Sequence, residues 1–361
     1  MPTTTAGRSL RNMLAHGEQK GQAMIAALAG DRQGRAMPNT LYALYDLDVM
    51  PPTFDIASFL FLAELERRRS HLERIHLVII PGRNLEPQNE AEEALPGSAR
   101  HRRIDSILIP VARLLPSCTG LTLCTDRSDA ARFRFATPVP VFPQGATPTF
   151  PLAPDQSLVN ADALARNDVF PILSAPESER KAVRTWLAGR VGERLPIVLS
   201  LRESPFMPAR NSDIDAWLAF ARGLDGTRYA PVFVRDTDRA LETPSNGLEA
   251  FPVFEAASWN IALRMALYEA AHVNMAVMHG AMELCWFNGA CRYAAFLPVG
   301  TSPQTSPEFL GSRGFAEGRS LPFARPWQRL VWKPQTLAHI EDAFSSIIQC
   351  IEENSSEVDG S

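Results

Sequence analysis

The chain has 361 residues, 45% of them hydrophobic and 21% charged, and its 36 basic and 40 acidic side chains leave a formal net charge of -4. That length accommodates about two domains, each large enough for its own core. The charge balance argues against a dedicated nucleic-acid binder, and the apolar content is too high for a disordered chain despite 29 prolines. Cys118, Cys124, Cys285, Cys291 and Cys350 include no CxxC pair, so neither a disulfide framework nor a zinc site is indicated. No run approaches 18 apolar residues and no secretory signal opens the chain, so the expected setting is cytoplasmic.

Residues 1–36 read as a leader ahead of the main fold, with one short helix between Leu10 and Leu28. Arg8, Arg11, Lys20, Arg32 and Arg35 outnumber Glu18 and Asp31 there. The leader therefore reads either as a loose terminal helix or as a peripheral contact to an anionic membrane surface.

A regular alternation follows. LYALYDL at 41–47 predicts a strand, and IASFLFLAELERRR at 56–69 a helix whose apolar face holds Ile56, Phe59, Leu60, Ala63 and Leu65. Asp55 is placed to cap it, and Arg67, Arg68 and Arg69 suit its C-terminal dipole. Ile75 to Ile80 is a second strand, too apolar for an exposed edge, so strand, helix and strand form a βαβ unit of a parallel sheet. IDSILIPVARLL and GLTLCTD add a helix and a strand. Prolines 138, 140, 143, 148, 151 and 154 exclude a helix or a central strand and predict an extended surface crossing.

The second series begins with a helix at 178–192. Strands at 196–203, 230–238, 273–280 and 292–300 then alternate with helices at 211–224, 257–271 and 281–287. LVW at 330–332 is a last short strand, and residues 336–353 form an amphipathic helix ahead of an acidic tail. Expected are a first α/β domain over 37–165, a second over 166–335, and the terminal helix and tail over 336–361. No GxGxxG, GxxxxGK[ST] or GxSxG is present, which removes the dinucleotide-binding, P-loop and α/β-hydrolase readings.

In parallel sheets ligands bind outside the carboxyl ends of the strands. LSLRE delivers Arg202 to such an end, a bidentate clamp for a diphosphate or carboxylate, or else half of an interdomain salt bridge. Arg210 and Asn211 precede the next helix, with Ser212 as its expected cap. Arg235 and Asp236 stand at the following strand end, either as ligand contacts or paired with each other. Glu269, among alanines, is either a ligand at a helix end or a hydrogen-bonded structural carboxylate. In the first domain Asp46 and Asp48 end the first strand, and Arg83 and Asn84 follow the second. Cys285 and Cys291 read as buried thiols.

Two successive parallel-sheet domains joined by a proline-rich crossing resemble the GT-B glycosyltransferases. VNMAVMHGAMELCWF resembles the nucleotide-diphosphate loop of heptosyltransferase-like members, which have a strand, Asp-Thr-Gly, two residues and a His. Gly280 matches the glycine, Glu283 falls at the histidine position, and Met278 and His279 replace the Asp and Thr. SLRE, a proline-bearing loop and RNS before a helix resemble fucosyltransferase-like members, in which an arginine after the first donor-domain strand binds the phosphates.

The resemblance implies two Rossmann-like α/β/α domains facing a central cleft. It implies a metal-independent sugar transfer from a nucleotide-sugar co-substrate, without a cofactor, to a glycan or other small acceptor. Arg202, Arg210, Asn211, Arg235, Asp236, Glu269, His279, Gly280 and Glu283 would serve the donor. Backbone N–H groups at the helix opened by Gly280 would meet the diphosphate. For an inverting transfer Asp48 or Asp46, rather than the cap Asp55, would be the base, and helix 336–351 would return onto the first domain. The competing readings are a GT-B-like sugar-nucleotide epimerase or hydrolase, which needs more crevice carboxylates and histidines, and a non-catalytic ligand or partner-binding module.

Overall fold

The computed structural model describes residues 37–86, 99–131, 139–155, 172–243, 247–297 and 299–358. The leader at 1–36 and the domain boundary expected at 165/166 lie outside the described residues. The described residues build two separate sheets, each entirely parallel.

The first sheet contains β1 (Thr40–Asp46), β2 (Arg74–Ile80), β3 (Cys118–Leu123) and β4 (Val141–Phe142) in the order β3-β2-β1-β4. All seven residues of β1 are buried, as its unbroken apolar run requires of a strand covered on both faces. The covering helices are α1 (Asp55–Arg69), a helical run α2 from Ala99–Arg103 through Ile104–Leu108 to Ile109–Ala112, and the short α3 (Arg127–Ala131). Within the proline-rich crossing two residues do join the sheet, Val141 opposite Tyr42 and Phe142 opposite Ala43. Flanking prolines confine this pairing to an edge.

The second sheet has the order β6-β5-β7-β8-β9, from β5 (Leu195–Ser200), β6 (Tyr229–Val234), β7 (Val273–Val277), β8 (Tyr293–Phe296) and β9 (Gln328–Val331). Its helices are α4 (Glu177–Val191), α5 (Ile214–Gly223), α6 (Ala256–Trp259), α7 (Ile261–Ala270), α8 (Glu283–Trp286), α9 (Pro307–Ser312) and α10 (Leu337–Val358). The single helix expected at 257–271 is divided at Asn260, whose side chain caps α7 by accepting from the Leu263 N–H at 3.0 Å. Connections on both sides of β5 reverse direction between β5 and β7, which makes that point the topological switch of the sheet.

One apolar core runs through both domains, with Phe61 of α1 stacked on Phe287 at 4.8 Å. The terminal helix behaves differently from expectation. The stripe Ile340, Phe344, Ile347 and Ile351 of α10 packs with Trp217, Phe220 and Tyr229 against the second sheet, not on the first domain. Aromatic side chains of α5 and β6 leave a broad apolar face there, and burying it satisfies the stripe locally. No described helix is long and apolar enough to cross a membrane.

The two carboxyl edges face each other. Phe54, in the loop after β1, covers Gly280, after β7, so closely that a Cβ on the glycine would lie 2.8 Å from Phe54 Cδ2. Beside it Arg313 donates to Asp55 at 3.1 Å.

Candidate functional site

Beyond β5 the chain folds into a closed loop around Arg202, which is only 7% exposed. The Arg202 guanidinium donates to the Met207 carbonyl at 3.0 Å, to the Phe206 carbonyl and to Asn211 Oδ1, while Asn211 Nδ2 donates to the Ser204 carbonyl at 2.9 Å. Arg202 is thus neither an interdomain salt bridge nor a freely projecting clamp, because its fork organises residues 204–211. Asn211 is part of the same frame. Ser212 accepts from the Arg202 N–H at 2.9 Å, and the cap of α5 is instead Asp213, which accepts from the Ala216 N–H at 3.1 Å.

Arg210 is held far less. Its Nε is buried without a partner, and its nearest bond is a long one, 3.5 Å from Nη2 to the Met278 carbonyl. A third arginine, Arg264 of α7, is buried and donates to the carbonyls of Ala257 at 2.7 Å and Arg235 at 3.4 Å. Among the described residues none of the three forms an ion pair with a carboxylate. Burial holds Arg202 and Arg210 below the usual arginine range, and Arg202 is lowered further by the charge of Arg210, against the opposing charge of Asp236. His279 lies among them. Burial, then the charges of Arg264, Arg202 and Arg210, push its pKa down to about 3, so the imidazole is neutral at pH 7, and its buried Nε2 has no partner. Three buried cations with no direct ion pair are costly unless an anion completes the site.

Other expected donor residues are occupied elsewhere. Arg235 is locked to Glu203, by Nη2 at 2.6 Å and Nε at 3.0 Å, and not to Asp236. Asp236 accepts from the Glu203 N–H at 3.4 Å. Glu269 sits at the end of α7, and a helix feeding a parallel strand ends at the amino edge of the sheet, away from Arg202. There it accepts from the Ala175 N–H, from Arg180 and from Asn288, so it takes the structural role.

Gly280 also departs from expectation. It opens a three-residue 3-10 turn before the single helical turn of α8, and the space its missing Cβ leaves is filled by Phe54. The glycine permits close approach of an aromatic ring from the first domain, not of a phosphate to a long helix. Glu283 faces Ser58 at 3.5 Å, and burial, reinforced by the charge of Asp55 and opposed by Arg313, pushes its pKa up to about 8.

On the first-domain edge Asp46 does not project into the cleft. It is 2% exposed and held in a fork by Arg127 Nη1 at 2.8 Å and Nη2 at 2.9 Å, while also accepting from the Asp48 N–H. Asp48 braces the next loop through the Arg83 N–H at 2.9 Å and lies 3.0 Å from Arg127. Arg83 and Asn84 return the contact, bonding the carbonyls of Asp48 and Met50. Asp55 is not a cap: Phe54 holds that position and Asp55 is the first helical residue. Its carboxylate meets Arg313 and the Thr53 hydroxyl, at the junction with Glu283. Arg264, Arg313 and Arg127 were missed from the sequence. An arginine inside the apolar helix IALRMAL was a usable anomaly for Arg264, whereas nothing local marks the other two.

Cys285 and Cys291 are buried thiols, and among the described residues no group of three or more His, Cys, Asp or Glu could hold a metal ion. The chain superposes on E. coli ADP-heptose LPS heptosyltransferase II with a TM-score of 0.51 and 10% identity, covering 87% of this chain and 99% of that one. The fold is GT-B. The glycosyl transferase family 9 protein from Veillonella parvula is 13% identical with a TM-score of 0.46, covering 86% of this chain and 97% of that one. No family model matches the sequence, and no curated protein matches it either. In the GT-B frame the arginine cluster stands on the carboxyl edge of the second domain, and Asp55 stands opposite on the first.

Proposed function

We propose that the protein is a glycosyltransferase that moves a sugar from a nucleotide-activated donor to a hydroxyl of a glycan or other small acceptor. The observation that carries this reading is the trio Arg202, Arg210 and Arg264 around the neutral His279, cations with no direct carboxylate ion pair among the described residues, beside the switch point between β5 and β7. A diphosphate is an anion of the right charge and reach for such a cluster. Arg210 supplies the least committed donors, Arg202 the fixed charge behind it, and His279 Nε2–H a neutral hydrogen bond.

Held there, the leaving diphosphate gains its negative charge next to guanidinium groups in a partly desolvated site, which lowers the barrier to its departure. On the opposite edge Asp55 is the acceptor-side carboxylate, oriented by Arg313. The acceptor oxygen forms its bond to the anomeric carbon as the bond from that carbon to the phosphate oxygen breaks, and the acceptor proton passes to Asp55. Glu283, protonated at pH 7, offers a neutral hydrogen-bond donor beside Asp55 without adding a second negative charge.

The experiment is a panel of UDP, GDP, ADP, CMP and dTDP sugars, read first by thermal shift and then by nucleotide release with and without candidate acceptors. Asp55→Asn should lower turnover at least about 100-fold with donor affinity changed less than about threefold. No stabilisation by any nucleotide sugar sinks the transferase reading, and near-normal turnover in Asp55→Asn removes Asp55 as the base.

A further inference from the structure

The loop after β5 carries an aromatic side chain that the fold itself does not use. Phe206 is 38% exposed, belongs to no apolar cluster and makes no ring contact among the described residues. A surface phenylalanine is ordinary in itself. The construction beneath this one is not ordinary.

The tip runs Ser204-Pro205-Phe206-Met207-Pro208, with two prolines limiting its backbone. The Phe206 N–H donates to Ser204 Oγ at 3.2 Å, and the Phe206 carbonyl accepts from Arg202. The Met207 carbonyl accepts from Arg202 at 3.0 Å and from the Arg210 N–H at 3.0 Å. Met207 adopts φ +53, a left-handed conformation unfavourable for a side chain of this kind. Backbone strain and these internal bonds thus hold the loop in a form that leaves one apolar ring outward. Because the Phe206 carbonyl is bonded to Arg202, the ring is rooted beside the cation cluster.

We propose that Phe206 is the stacking platform for the nucleobase of a nucleoside diphosphate whose phosphates lie on Arg210, with the fixed charge of Arg202 behind it. The proposal rests on the donor-site reading above and adds where the base sits. A nucleotide joins a flat π face to an anion through one sugar, and this loop presents a flat ring and guanidinium groups on one rigid frame. Rigidity matters because a pre-ordered platform loses little entropy on binding. Stacking is also tolerant of base identity, so discrimination among bases must come from other groups.

The test separates base from phosphate. The full-length wild type, Phe206→Ala and Phe206→Trp are titrated calorimetrically with inorganic pyrophosphate and with ADP, GDP, UDP and CDP. Trp259→Ala is the comparison variant, since Trp259 is another exposed aromatic, 49% exposed, on α6. In Phe206→Ala the best nucleoside diphosphate should bind about tenfold more weakly, while pyrophosphate binds within about twofold of wild type. Phe206→Trp should restore nucleotide affinity, with its indole emission quenched on binding. Unchanged nucleotide affinity in Phe206→Ala, or loss in Trp259→Ala instead, overturns the proposal but leaves the donor site standing. Equal loss of nucleotide and pyrophosphate in Phe206→Ala also overturns it, because the variant would then have disturbed the loop. If wild type binds neither pyrophosphate nor any nucleotide, the donor-site reading fails and the proposal falls with it.

Discussion

Arg210→Met is the most informative single substitution, because ligand binding and stability should respond in opposite senses. Arg210 gives the fold one long bond of 3.5 Å, and its Nε is buried without a partner. Methionine keeps much of the stem volume and removes a poorly compensated charge beside Arg202. The melting temperature should be unchanged or raised by up to about 3 °C. Arg202→Met differs, since Arg202 bonds Met207, Phe206 and Asn211, and losing those bonds at about 1 kcal/mol each costs about 3 kcal/mol. For the ligand, a charge-assisted contact of about 1.5–3 kcal/mol predicts affinity for the best nucleoside diphosphate falling about 10- to 100-fold in Arg210→Met. Calorimetric titration and melting curves on the same preparations measure both quantities. A clear drop in melting temperature with unchanged affinity would show that Arg210 is a structural residue, and it would refute the anion-site reasoning.

Gly280→Ala should destabilise the junction by about 1–2 kcal/mol, because the new Cβ would stand 2.8 Å from Phe54 Cδ2 and 3.2 Å from Phe54 Cβ. Adding Phe54→Ala should relieve that clash, and additive losses in the double mutant would contradict the contact. Glu283→Gln tests the raised carboxyl. With a folded pKa of about 8 against an ordinary 4.5, Glu283 contributes stability that is fully present below about 4.5 and lost as pH rises through about 8. The melting temperature of Glu283→Gln relative to wild type should therefore climb between about pH 4.5 and 8 and level off above; a flat difference curve would mean that Glu283 is not buried against Asp55.

The strand ends were legible in advance because apolar runs of strand length, broken by helical periodicity, are written in consecutive residues. Arg202, Arg210 and His279 could be placed on one edge from that pattern alone. Their order of importance could not. Arg202 is spent on loop carbonyls and Asn211, and Arg210 is the less committed group, a distinction made by a loop conformation that composition does not encode. Asp46 as a projecting strand-end carboxylate and Asp55 as a helix cap both give way for a related reason. Asp46 ends β1 and Asp55 opens α1, but Asp46 is claimed by Arg127, 81 positions away, and Asp55 by Arg313, 258 positions away.

The sequence by itself determined the alternating elements, the two parallel sheets and the edges on which polar residues gather. Each follows from short-range hydrophobic periodicity and from the direction a parallel strand must run. Tertiary structure alone decided which charges are neutralised, that Gly280 makes room for Phe54, and that α10 covers the second sheet. Ion pairing and packing depend on which distant segments meet, and a charge becomes available for chemistry only when no such segment brings it a partner.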